Sequence, residues 1–171
     1  MRGKKIEMVE KTINEEKIEI YEKAKKIVQS FWENRESMLS EKITKNSQSY
    51  NNKSKMGCAV NLSKDGSVRI YWFMFEYYTY AGIKDGVRKM ITRRKNKYIT
   101  RPKKGFRYNV EKLKKYTVPE EYSVIEIVEG QFELLRYELS LLSRMSMNLK
   151  KLNNSEDIIN RKLNIESDPN K

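Results

Sequence analysis

The sequence has no histidine and a single cysteine, Cys58. The first absence removes the commonest general base, the commonest metal ligand and the Ser-His or Cys-His pair of nucleophilic catalysis. It also removes the histidine cluster that would hold the metal of a relaxase-type DNA nickase. The second excludes an intramolecular disulfide and any Cys-x-x-Cys metal site, and it suits a reducing compartment. No run approaches the ~20 apolar residues of a membrane span. The basic start, Met1 to Lys5, is followed by Glu7, Glu10, Glu15 and Glu16 and not by the apolar core of a signal peptide. A cytoplasmic protein with no membrane partner is predicted. Walker and glycine-rich dinucleotide motifs are missing too, so the sequence predicts no cofactor and no metal.

What the chain has in excess is positive charge, and it is localised. Of a net +13 over 171 residues, the segment Lys84 to Lys115 carries 14 Lys or Arg against Asp85 and Glu111, a net of +12. A surface that is basic in one place predicts an anionic partner for that place. Apolar residues are 38% and charged residues 35% of the chain, which predicts an elongated, helical protein with a modest core.

From Ile6 to about Ile43 no glycine or proline interrupts the chain. Ile6, Val9, Ile13, Ile20, Ala24, Ile27, Phe31 and Met38 recur at three, four or seven residues, one face of a long helix. The polar run Thr44 to Lys55 reads as a flexible connection. Met56 to Leu62 and Ser67 to Tyr80, joined through Asp65-Gly66, predict a hairpin. In the second strand Val68, Ile70, Trp72, Met74 and Glu76 share one face and Arg69, Tyr71, Phe73, Phe75 and Tyr77 the other, so it should be central with at least one face under helices. A turn at Ala81-Gly82 or Asp85-Gly86 leads to a third strand, Val87 to Ile99, at a basic edge. Asn109 can cap a short helix over 110–116. Thr117 as N-cap, Pro119 in the first turn and the acids Glu120 and Glu121 announce a second long helix. Its apolar positions Ile125, Val128, Phe132, Leu135, Leu139, Leu142 and Leu149 keep a heptad-like spacing, and Gly130 is either closely packed or a weak point.

The predicted fold class is α+β: two long amphipathic helices (about 6–43 and 119–151), a small antiparallel sheet of about three strands (about 56–99) and the short helix. Residues 1–152 form a single domain and 153–171 a polar, loosely ordered tail. A homodimer through the C-terminal long helix competes with pairing of the two helices.

Catalysis finds little support. Asp65 and Asp85 occupy turn positions where Asp is used for backbone reasons, which leaves Glu76 alone as a carboxylate for a metal-dependent nuclease. Glu126, Glu129 and Glu133 form a row that reads as a solvated or salt-paired face, one that could meet the basic segment. Cys58 reads as a small buried residue. The basic segment is the candidate site: Arg88, Lys89, Arg93, Arg94, Lys95, Lys97, Arg101, Lys103, Lys104 and Arg107 for phosphates, with Tyr108 available to stack on a base. The partner predicted is nucleic acid, DNA in preference to RNA. An alternative is an interaction adaptor whose long helices recruit a protein while the basic patch docks an acidic surface.

The order Val68-Arg69-Ile70-Tyr71-Trp72, a basic stretch, Lys104-Gly105-Phe106-Arg107-Tyr108, then a helix with Glu129, Phe132, Glu133 and Arg136 resembles the MobI family of conjugative-transfer proteins, over about Val68 to Leu152. The resemblance implies an auxiliary, non-catalytic factor of a mobile element that helps its transfer origin to be recognised or processed. Such a factor works beside a relaxase or another protein of the transfer complex. The resemblance carries over no catalytic residue.

Overall fold

Between Gly3 and Gly57 there is neither glycine nor proline, and in a computed structural model of the chain nearly all of this stretch is helical: α1 spans Arg2–Lys53. The structure describes the backbone of residues 2–84, 86–101 and 103–166, with side chains for 4–38, 54–83, 86–101, 103–155 and 158–159. After α1 come β1 (Met56–Leu62), β2 (Val68–Lys84), β3 (Val87–Tyr98), α2 (Val110–Lys114), a 3-10 turn at Pro119–Glu121, and α3 (Tyr122–Glu166). Two long helices and a short one pack with a three-stranded antiparallel sheet, the predicted α+β class.

Both long helices exceed their predicted bounds. The polar run that should have been a loop stays helical to Lys53; its Asn and Ser residues are weak helix formers, but it holds no glycine or proline to break the helix. It nevertheless turns the chain around. Arg35 Nη2 lies 2.7 Å from the Ser54 carbonyl oxygen, whereas the intervening residues would rise ~27 Å in a straight helix, so the axis must fold back between them. At the other end α3 continues beyond Leu152 to Glu166, into the segment read as a loose tail; residues 167–171 lie outside the described residues.

Met8, Val9 and Ile13 of α1 line one groove with Leu142 and Met145 of α3, and Arg35 meets Glu121 just before α3 begins. The helices therefore run antiparallel. Their stripes close on the sheet through Ile20, Ala24 and Phe31 on one side and Ile125, Val128, Phe132 and Leu135 on the other. The heptad row on which the sequence predicts a homodimer is thus occupied within the chain. A different row of α3, Leu134, Leu141 and Leu152, faces outward.

The sheet is a meander in the order β1-β2-β3. Trp72, fully buried, meets Phe31 and Phe132 edge-on at ring-centroid distances of 5.5 and 5.9 Å. On the opposite face Trp32 of α1 reaches around the β1 edge to Phe73 and Phe75. That approach needs Gly57, where a Cβ would stand 2.7 Å from the Phe73 ring and 2.9 Å from Trp32. Cys58 is buried as predicted, and burial pushes its thiol pKa up.

Asn109 caps α2 as predicted, its side chain accepting from the Lys112 N–H at 3.0 Å. Thr117 does not cap a helix. Its hydroxyl donates to the Glu121 carboxylate, and Val118 precedes the 3-10 turn without a side-chain cap. Gly130 faces open space: a Cβ there would find nothing within 4 Å, so it is the weak point and not a packing contact. Gly130→Ala should stabilise the protein by about 1 kcal/mol and raise the thermal midpoint by ~2–4 °C in a circular dichroism melt.

Candidate nucleic-acid interface

Register decides where the basic segment sits. β1 pairs with Val68 to Met74 of β2, whereas β3 pairs with Phe73 to Lys84. The second half of β2 therefore has only β3 beside it. Tyr77 to Lys84 and Val87 to Arg94 make a two-stranded ribbon, eight residues a side and ~26 Å long at ~3.3 Å per residue. The helices cover the sheet as far as Phe75; past it Tyr77, Tyr78 and Thr79 are exposed, as is nearly all of β3. The sequence predicted a β2 under helices to Tyr80. Its aromatic alternation is real, but past Phe75 the rings serve the ribbon itself.

The ribbon closes at Gly86, whose φ of 75° favours glycine. Its neighbour Asp85, named both as a turn residue and as a carboxylate candidate, lies outside the described residues. Gly82, the other turn candidate, continues β2 and leaves room for Ile91, whose Cδ1 would stand 2.7 Å from a Cβ there. Along the ribbon Thr79 and Thr92 hydroxyls pair at 3.0 Å, Tyr78 and Tyr80 stack at 6.1 Å, and Arg93 lies over Tyr80 at 5.4 Å. At its root Arg94 lies 4.4 Å above Phe75. Paired residues share a face, so Arg88 and Arg94 project on one side and Lys89, Arg93 and Lys95 on the other.

The predicted site cations fall into three groups. Arg88, Lys89, Arg93 and Arg94 stand on the ribbon and Lys95 just past its root, all exposed, and no ion pair among the described residues holds them. Arg101, Lys103 and Lys104 are likewise exposed and unpaired in the loop before α2; Pro102 lies outside the described residues. Lys97 and Arg107 are committed elsewhere. Lys97 Nζ is 2.8 Å from Glu76, which raises its pKa through that hydrogen bond, and Arg107 Nε is 3.8 Å from Glu133.

Tyr108 is not on the surface with them. It is 5% exposed, its ring lies under Arg136 at 4.7 Å, and burial pushes its phenol pKa up. The base-stacking role read for it is therefore without an exposed face. Tyr98, 66% exposed, is the open ring nearby, packed edge-on against Tyr71 at 5.1 Å. These two tyrosines border a cavity of about 690 Å³ that Arg69, Arg101 and Phe106 also line.

Of the acidic row on α3, Glu126 and Glu133 do meet the basic segment, through Lys114 at 2.6 Å and Arg107. Glu129 departs from it. It is fully buried and accepts from Trp72 Nε1 at 2.6 Å, from the Tyr108 N–H at 2.6 Å and from both Arg136 amino groups at 2.8 and 2.9 Å. A second buried pair, Arg35 with Glu121, gathers Ser54, Thr117 and the Met56 carbonyl. Sequence reasoning missed both.

Among the described residues no three His, Cys, Asp or Glu side chains come together as a metal site would require. Asp65 is held in its turn by the hydroxyls of Ser63 and Ser67 and the Ser67 N–H, which lower its pKa to about 2. Glu76 is taken up by Lys97.

A family model described as MobI protein matches residues 20–150. The chain belongs to the MobI family. MobI proteins are mobilisation proteins of mobile plasmids. The match begins within α1 and ends within α3, so it takes in most of both helices and the sheet between them, well beyond the motifs from Val68 onward. No match was found among curated proteins or solved structures. No helix of this MobI family member is, among the described residues, long and apolar enough to cross a membrane.

Proposed function

We propose that this protein is a non-catalytic DNA-binding accessory factor of plasmid mobilisation, acting at the transfer origin beside a relaxase or another protein of the transfer complex. The observation that carries it is the projecting ribbon, whose cations Arg88, Lys89, Arg93 and Arg94, with Lys95 at its root, have no acidic partner among the described residues. Surface cations that serve the fold are spent on nearby acids, as Lys97, Arg107 and Lys114 are here. The ribbon and loop cations are not, and on DNA each can displace a condensed counterion. The shape favours DNA over RNA, because the major groove of B-DNA admits a two-stranded β-ribbon and the deep, narrow groove of an A-form helix does not.

The test is a fluorescence anisotropy titration of duplex DNA across salt. If the eight cations Arg88, Lys89, Arg93, Arg94, Lys95, Arg101, Lys103 and Lys104, which have no acidic partner among the described residues, each meet a phosphate, log affinity falls against log salt with a slope of about −7, a loss of ~100-fold for each doubling of salt. Duplex RNA should compete poorly. Binding that ignores salt, or no binding to nucleic acid at low salt, would sink the proposal.

A further inference from the structure

The ribbon is cationic along its flanks and carries exposed apolar side chains on either side of its Lys84-Asp85-Gly86 turn. Ile83 is 79% exposed, Met90 70% and Val87 55%, although a protruding tip has no core to fill and ordinarily carries polar residues. Ala81 opposes Met90 and Ile83 opposes Arg88, so Ile83, Ala81 and Met90 share one face, with Ile83 and Met90 diagonal to each other. Val87 stands on the other face, beside Lys89. No described part of the molecule covers these side chains, and they lie at the far end of the ribbon from the nearest helix.

We propose that the tip is a wedge: on duplex DNA the flanking cations seat the ribbon along a groove, and Ile83, Val87 and Met90 press into a base step and bend the duplex. This rests on the DNA-binding reading above. Charge complementarity selects DNA as the occupant. Arg88 and Lys89 sit between the apolar residues in sequence and have no acidic partner among the described residues. An apolar protein pocket that took the tip would have to take those charges as well. A groove presents both needs together, phosphates at its walls and base edges at its floor. Apolar side chains inserted between base steps unstack and kink DNA in this way.

A wedge must work against base stacking, so a step already weakened should be preferred. The experiment uses the full chain and two end-labelled duplexes of one mixed sequence, roughly 30 base pairs and so far below the ~150 base-pair persistence length, one of them with a single central mismatch. The wild type should bind the mismatched duplex about tenfold more tightly and raise end-to-end energy transfer on binding. The combined variant Ile83→Ser, Val87→Ser, Met90→Ser should bind both duplexes within about twofold of each other, with no rise in transfer. The combination Ile83→Leu, Val87→Leu, Met90→Leu should keep both properties. A wild type that binds both duplexes equally without bending them overturns the wedge, as does a serine variant that keeps the preference. If the serine variant, folded by circular dichroism, loses both duplexes alike, the tip is a general contact and the wedge is again overturned. A wild type that binds neither duplex removes the DNA-binding reading itself.

Discussion

Replacing Arg88, Lys89, Arg93 and Arg94 with glutamate is expected to lower duplex affinity by more than ~100-fold at moderate salt and to flatten the salt dependence by about 4 in log-log slope. Four of the eight unpaired cations would be gone, and four carboxylates would face the phosphates in their place. The fold should survive. These side chains project from a ribbon that no helix covers, and the Thr79–Thr92 and Tyr78–Tyr80 contacts remain. The stability lost is confined to the cation–π contacts of Arg93 with Tyr80 and Arg94 with Phe75, about 1–2 kcal/mol together. The informative control changes the same amount of charge elsewhere: Lys11, Lys23, Lys25 and Lys26 of α1 to glutamate. Anisotropy should show that the control loses only a few-fold, through the general field of the molecule. Equal losses in the two variants would mean that net charge, and not the ribbon, carries the binding.

That contrast is legible in the sequence only in part. The charge asymmetry of the segment from Lys84 to Lys115, the three strands and their turn glycines, and the apolar stripes of both long helices all follow from composition and period. What composition does not reveal is how far the cover extends. Tyr77 to Tyr80 continue the aromatic alternation of Tyr71 to Phe75 without a break, yet the helices stop covering the sheet after Phe75. Sheet coverage depends on where α1 and α3 cross, which is a tertiary fact. Tyr108 differs from its expected place for the converse reason. It stands in a basic loop beside Arg107, so its neighbours in sequence suggest solvent, but the Glu129 carboxylate draws its backbone N–H inward.

The two buried ion pairs left a trace that period analysis can find. Arg35 continues the three- and four-residue spacing of Ala24, Ile27 and Phe31, and Glu129 and Arg136 follow Ile125 and Phe132 by four residues. Opposite charges that fall on an apolar stripe, on one helix as with Glu129 and Arg136 or on neighbouring elements as with Arg35 and Glu121, are candidates for a buried pair. Reading the acids of α3 as one row by their mutual spacing hid this, because Glu126 and Glu133 are on the neighbouring, exposed flank.

The larger structural effect should come from Arg136→Ala, with a loss of about 3–5 kcal/mol, or roughly 10 °C in thermal midpoint. Arg136 donates to Glu129 through two amino groups, to the Ile70 carbonyl at 3.2 Å and to the Phe106 carbonyl. Its removal leaves a buried carboxylate without its counter-charge and two carbonyls without their donor. Glu129→Leu should cost a similar amount, since it strands the guanidinium and frees the Trp72 and Tyr108 N–H groups. The double variant Glu129→Leu, Arg136→Met should be less destabilised than the two singles added together, because no unpaired charge is left. Thermal melts of the three variants measure that coupling, and strict additivity would show that the two side chains act independently. The same residues tie the basic loop to the protein. Through Phe106 and Tyr108 they fasten the end of the loop that carries Arg101, Lys103 and Lys104 to β2 and α3. Well below its melting temperature, the Arg136→Ala protein should therefore be cut by trypsin at that loop faster than the wild type, while the ribbon at Arg93 and Arg94 is cut at an unchanged rate. A uniform rise in cleavage at both places would instead mark global destabilisation and separate the clamp from the core.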